Sequence, residues 1–379
     1  MKKLTFLLSL AVLLLMGSCA KEDPFSIDSG DKVIYKFTAQ LPGYIQSRAI
    51  GDGKKANELF FWVFDENNNE LTELRQHNIA FDNSTGRAKV EVSLTPGHTY
   101  SFAFWAQNKE CKVYDPNNSD RITIDYTGEA GPIIANDDMR DAFYALEKNI
   151  SVNTEGQTVE RTIKLRRPFS QLNYGISEEA LDAITAAGFD LTGATTKVYI
   201  SNAYTQFGIL AGQPIEIDDN HRRVVFQHNG MPKGIPNDIL RNVWWLNDPN
   251  DEDSGELKDF VWLSFNYFLT TLPIDQDHPN SSTINTWIEI VTANGTTFKS
   301  PTFDNIVVQG NNRTNILVDF FTEEVTFNVV IDQLFDDYDH NVDLTINPIA
   351  SSQGPNPKAP LKSNIANYNG ISIPTFIFK

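Results

Sequence analysis

VIYKFTAQL, residues 33–41, puts Val33, Tyr35, Phe37, Ala39 and Leu41 on one side of an extended chain and Lys36, Thr38 and Gln40 on the other. Side chains alternate between the two faces of a strand, so this period of two marks a strand with one face in a core and the other in water. The pattern recurs downstream. LFFWVF (59–64), KVEVSL (89–94), YSFAFW (100–105) and RITIDY (121–126) are strand-like, with turn-forming runs such as Asp65-Glu66-Asn67-Asn68-Asn69 and Thr95-Pro96-Gly97 between them. Short strands at this spacing, punctuated by Gly, Pro and Asn, predict a β-sandwich. DDMRDAFYALEKN (137–149) is compatible with either a short helix or a strand that enters the second half.

A second unit begins near RTIKLRRPFSQLNYGI, residues 161–176. It carries one helix signal, SEEALDAITAAG: Ser177 as cap, Glu178 and Glu179 at the positive end of the dipole, and Gly188 as the stop. Strands resume at KVYIS, RVVFQ, VWWL, DFVWLSFNYF, TWIEIV, NIVV and VTFNVVI. The fold class is therefore all-β with one or two short helices. NDPNDEDSGEL (247–257) reads as an exposed loop, because unpaired carboxylates are rarely buried. SSQGPNPKAP (351–360) is a linker by composition, followed by the apolar, strand-prone ISIPTFIFK. The expected division is 1–18, a signal peptide; 19–32, a tether; 33–160, an N-terminal β-sandwich; 161–335, a C-terminal β-sandwich; and 336–379, a linker with a strand-like tail.

The chain has 379 residues, of which 41% are hydrophobic, enough for two domains that each bury a core. Its formal charge is −18, and loss of Lys2 and Lys3 with a signal would bring it to about −20. A field of that sign repels nucleic acid and anionic headgroups, so no nucleic-acid partner is expected. Cys19 and Cys111 cannot form the disulfide framework of a small secreted domain. Cys111 reads as a small, half-buried strand residue.

Lys2 and Lys3 form a positive n-region, Leu4 to Met16 an apolar h-region, and Gly17-Ser18-Cys19 a small-residue end. The apolar run is shorter than the ~18–20 residues a membrane-spanning helix needs. The readings left are an ordinary signal peptide and, since Cys19 closes it as in a bacterial lipobox, a lipoprotein signal cut before a lipidated Cys19. Acyl chains contribute about 0.8 kcal/mol per buried CH₂, so several on one residue anchor a domain durably.

Chemistry is not signalled. There is no G-x-S-x-G elbow, H-E-x-x-H helix or phosphate loop, and the six histidines are scattered without metal-ligand spacing. No catalytic residue, metal or cofactor is assigned, and an enzyme is not expected. The acidic run Asp336–Asp343 offers oxygens at alternating positions, but it lacks the glycine and the distal glutamate of a calcium loop; a calcium site and a solvated connector are the two readings. Trp62, Trp105, Trp244, Trp245, Trp262 and Trp287 lie in strand-like runs, where they serve core packing or, if exposed, sugar binding.

Taken together, the lipobox, Ser47-Arg48-Ala49 after an early strand, ANELFFWVFDENNNEL, RRPFSQLNYGI and NNRTNILVDFFTEEVTFNVVID resemble the fimbrillin superfamily of Bacteroidetes pilus subunits over most of residues 1–335. Ala20-Lys21-Glu22-Asp23 is similar to the lysine-plus-acidic export mark of surface lipoproteins in that group. The resemblance implies two tandem transthyretin-like β-sandwiches and a precursor lipidated at Cys19 and held in the outer membrane. It further implies cleavage between Arg48 and Ala49 by a trypsin-like surface protease, and head-to-tail polymerisation with other fimbrial subunits. A minor or anchor subunit would keep Cys19, and a non-enzymatic glycan-binding surface lipoprotein is the alternative of another class.

A cut at Arg48 would remove the strand at 33–41 and leave unpaired backbone and an apolar groove, unstable in water until another strand fills it. ISIPTFIFK is a candidate donor through Ile371, Ile373, Phe376 and Ile377, with Ile371, Ile373 and Ile377 on one face and Phe376 and Phe378 on the other. Pro374 opposes this, because it cannot donate to a ladder.

Overall fold

The computed structural model describes residues 32–42, 53–126, 133–153, 156–189, 193–215, 222–229, 243–245, 256–258, 260–270, 282–319 and 326–332. In chain order the first strands are β1 (Val33–Gln40), β2 (Glu58–Phe64), β3 (Gln76–Ala80), β4 (Arg87–Leu94) and β5 (His98–Gln107). Three short strands follow, β6 (Tyr114–Asp115), β7 (Arg121–Ile124) and β8 (Ile133–Ile134), then β9 (Phe143–Val152) and β10 (Thr158–Lys164). β11 (Phe169–Ser177) leads into helix α1 (Glu178–Ala186) and β12 (Thr195–Ala203), β13 (Gln206–Gly208), β14 (Gln213–Pro214) and β15 (Arg222–Asn229). The remainder is β16 (Val243–Trp245), β17 (Glu256–Lys258), β18 (Phe260–Leu269), β19 (Ser282–Val291), β20 (Thr297–Lys299), β21 (Phe303–Val308), β22 (Arg313–Asp319) and β23 (Thr326–Asp332).

This is an all-β fold, organised around two cores. The first lies between a three-stranded sheet, β10-β1-β4, and one face of a four-stranded sheet, β3-β2-β5-β9. Leu59, Phe61 and Val63 of β2 and Phe102, Phe104 and Ala106 of β5 point into it. The opposite faces of the same strands send Trp62, Phe64, Ala103 and Trp105 into the second core. This is why LFFWVF and YSFAFW are near-continuous apolar runs: the sheet they form is covered on both sides.

The second core is framed by the sheets β18-β11-β22-β23 and β20-β19-β12-β15-β8. The early chain takes part in it. β7 pairs with β13, and β8 runs parallel to β15. The expected boundary at 160/161 falls inside β10, whose ladder with β1 continues to Lys164, with the Leu165 N–H donating to the Gln40 carbonyl at 3.0 Å. The crossing between the cores is fixed just beyond, at Arg167, whose guanidinium donates to both oxygens of Asp141 at 2.7 and 2.9 Å, with both residues buried. The same guanidinium sits 4.6 Å from the centre of the Phe143 ring.

Of the two readings of 137–149, a 3₁₀ turn at Asp138–Arg140 followed by a strand is found, the Asp137 side chain accepting from the Met139 N–H to cap the turn. α1 starts and stops as its signals require: the Ser177 hydroxyl accepts from the Ala180 N–H at 3.2 Å, and Gly188, at φ 86°, ends it. Within the 247–257 stretch, Glu256 and Leu257 belong to β17, which pairs with β16; the rest lies outside the described residues. Cys111 is buried, in the turn after β5 and not in a strand, and burial pushes its thiol above the ordinary range. A thiol-alkylating reagent at neutral pH is expected to leave Cys111 unmodified in the folded chain and to label it fully in denaturant, as mass spectrometry would read.

Candidate functional site

The feature that sets the first core apart is the place of β1. It is a central strand: β4 runs antiparallel along one side, pairing Val33 with Leu94 through Gln40 with Arg87, and β10 runs parallel along the other, from Ile34 with Thr158 to Gln40 with Lys164. A strand paired on both sides has most of its N–H and C=O groups committed to neighbours, so removing it breaks two ladders at once.

Alternation then decides what each face does. Val33, Tyr35, Phe37, Ala39 and Leu41 point inward and are buried, Phe37 to 1% exposure. Phe37 packs against three rings of the facing sheet, its centroid 4.8 Å from Phe102, 5.4 Å from Phe104 and 5.8 Å from Phe61. Tyr35 stacks on Phe102 at 5.9 Å. At the open side of the sandwich, Arg161 lies 6.0 Å from the Tyr35 ring and pairs with Glu147 of β9 at 3.2 Å, so an ion pair between the two sheets covers that end of the cradle. Outward, Lys36 meets Glu91 at 3.4 Å with both side chains about half exposed, a contact worth little to stability.

The base of the cradle is closed where the chain leaves and returns. Leu41 N–H donates to the Gly86 carbonyl at 3.0 Å, and a Cβ on Gly53 would stand 2.8 Å from the Pro42 carbonyl and 3.4 Å from the Phe143 ring. Gly53 has φ 73°, so both conformation and space call for glycine there. Residues 43–52, which carry Arg48 and Ala49, are thus the covalent link between β1 and a return point that touches Pro42.

Of the expected site residues, Cys19, Arg48, Ala49, Ile371, Ile373, Phe376 and Ile377 all lie outside the described residues, as does the acidic run 336–343. The inward face of 33–41 was legible; its two-sided pairing, Gly53 and the Arg161–Glu147 cover were not, since nothing local in TVERTIK announces a parallel partner 124 residues earlier, from Ile34 with Thr158 to Gln40 with Lys164. Two of the motifs behind the resemblance meet in space. RRPFSQLNYGI supplies β11, and NNRTNIL supplies β22, which runs parallel to it with Gln171 opposite Arg313 and Asn173 opposite Asn315; the two asparagines are hydrogen-bonded at 2.7 Å.

Sugar binding needs a free aromatic face. Trp62 and Trp105 are fully buried, and Trp287 has Tyr199 stacked on it at 4.5 Å with Lys299 Nζ 5.4 Å over its ring. Its Nε1–H and the Tyr199 hydroxyl both donate to Glu289. None of these three indoles presents an open platform; the side chains of Trp244, Trp245 and Trp262 lie outside the described residues. Among the described residues, no group of three or more His, Cys, Asp or Glu side chains is placed to hold a metal, and no helix is long and apolar enough to cross a membrane.

Fold and cradle define a class of protein: an all-β chain with two cores, whose first long strand closes one sheet from within. The chain belongs to the family of unknown function DUF6562, whose model matches residues 29–350. No curated protein matches it. Among solved structures it is similar to the tip fimbrial protein Mfa3 from Porphyromonas gingivalis with C-terminal truncation, at 11% identity and a TM-score of 0.42, over 79% of this chain and 99% of that one. It is also similar to a fimbrial assembly protein from Parabacteroides distasonis, at 11% identity and a TM-score of 0.37, over 79% of this chain and 99% of that one.

Proposed function

We propose that the chain is a structural subunit of a cell-surface fimbria, exported as a lipoprotein on Cys19 and polymerised by strand exchange once cleavage after Arg48 releases β1. The observation that carries this reading is the seat of β1: a central, buried strand tied to the rest of the chain through a ten-residue segment containing Ser47-Arg48-Ala49. Each inward Val, Phe or Leu contributes about 1.5–3 kcal/mol by burial, so the vacated cradle strongly favours a replacement strand. Supplied by another copy, that strand makes a head-to-tail contact, which grows a filament because it does not close. The partners on this reading are other fimbrial subunits, the outer membrane through the lipid, and a protease that cuts after arginine.

An Arg48→Ala chain expressed in the native host is expected to stay at precursor mass and to form no filaments visible by negative-stain electron microscopy. Filaments as abundant as wild type would remove the reading.

A further inference from the structure

Strands β2, β5 and β9 lie in one sheet with a core on each face, and neighbouring residues of one strand serve different cores. On β5, the Phe104 ring centre is 5.4 Å from that of Phe37 in the first core. Trp105, next along, lies 6.2 Å from Phe169 and 5.9 Å from Phe207 in the second. β9 repeats this arrangement. Phe143 belongs to the first core, its ring 3.4 Å from the position a Cβ on Gly53 would take and 4.6 Å from the Arg167 guanidinium that Asp141 holds. Tyr144 belongs to the second, where its ring meets Phe207 edge-on at 4.7 Å and its hydroxyl donates to the Ile209 carbonyl.

The chain between β5 and β9 is also stitched into the second core. The Tyr126 hydroxyl accepts from the Leu269 N–H at 2.7 Å. Asn136 exchanges two hydrogen bonds with Phe265 of β18: its N–H donates to the Phe265 carbonyl at 2.9 Å, and its side-chain oxygen accepts from the Phe265 N–H at 2.7 Å. Tyr144 and Arg166 exchange backbone hydrogen bonds at 2.7 and 2.9 Å, one residue before the buried Arg167. Close-packed interiors transmit displacement because they have no free volume to absorb it. Loosening β1 takes support from Phe102 and Phe104, and the strand that carries them also holds Trp105 against Phe169, the first residue of β11.

We propose that the shared sheet makes the two cores one cooperative unit, so that β1 locks both: a change in how β1 is seated is felt in the second core, and a change there is felt at β1. One path runs from Phe37 through Phe104 and Trp105 to Phe169; the other runs from Gly53 through Phe143 to Arg167 and Asp141. Two sandwiches joined only by a linker would open separately. Coupling between sites is reciprocal, so both directions must be measurable. It is a property of the uncut chain and stands whether or not Arg48 is cleaved or β1 is ever exchanged.

Native-state hydrogen exchange of the full, uncut chain in increasing sub-denaturing urea, read by fragmentation mass spectrometry, tests this. Two sets of amides are compared, those of β1 and β4 around the first core and those of β12 and β19 around the second. The slowest members of both sets are expected to converge on one opening equilibrium with one urea slope. Phe37→Leu, which removes a ring from the first core, is expected to speed exchange about tenfold in both sets alike. Tyr174→Phe removes a buried hydroxyl bonded to Thr286 at 2.9 Å in the second core, and is expected to speed both sets about fivefold. Separate opening equilibria for the two sets in the wild-type chain overturn the proposal, as does an acceleration confined to the core that carries the substitution. Failure of cleavage at Arg48, by contrast, would cost the processing reading and leave this coupling standing.

Discussion

A Phe37→Ala chain, still uncut, is expected to lose about 3–5 kcal/mol of stability, read as a lower denaturant midpoint at unchanged slope. The deletion removes a ring that three rings of the facing sheet contact, in a strand that is itself held by ladders on both sides and cannot shift to close the gap. A cavity that fails to collapse adds to the lost burial, which is the upper end of what such substitutions cost. Thr38→Ala, one residue along and facing outward, is expected to change stability by less than about 0.5 kcal/mol. The contrast between the two separates the alternation argument from a general sensitivity of β1.

A comparable loss, about 3–5 kcal/mol, is expected for Arg167→Met, for a different reason. Arg167 is 0% exposed, and its fork holds the Asp141 carboxylate by two hydrogen bonds; without it the carboxylate stays buried and loses the guanidinium that faces it. Burial of a carboxylate that has lost this cation, not lost packing, is the dominant cost. Arg167→Met combined with Asp141→Leu is therefore expected to recover much of the loss, because replacing both partners of a buried pair by apolar groups is often close to neutral. Additive losses in that double variant would show that the pair acts through something other than mutual charge compensation. Chemical denaturation of the two single variants and the double variant measures this directly.

What the sequence disclosed follows from how local each signal is. The period of two in VIYKFTAQL, the Ser177 cap and the Gly188 stop depend on neighbours along the chain, and each is where the pattern places it. The pairing of β1 with β10, of β7 with β13 and of β8 with β15 joins segments far apart in sequence. No residue in those strands encodes its partner, and the division at 160/161 accordingly cuts through β10. The double burial of β2 and β5 was written in LFFWVF and YSFAFW as near-continuous apolar runs, but a run of that kind does not say which core each face serves. Arg167 shows the same limit. Nothing in RRPF says which of its two arginines is buried; Arg167 is fully buried against Asp141, which lies 26 residues earlier in the chain.

Polymerisation by strand exchange requires that β1 leave. Mass spectrometry of the N-terminus of the protein recovered from purified cell-surface filaments decides this. A chain beginning at Ala49, without residues 1–48, is predicted; a filament-borne chain that still begins at an acylated Cys19 and retains β1 would contradict it.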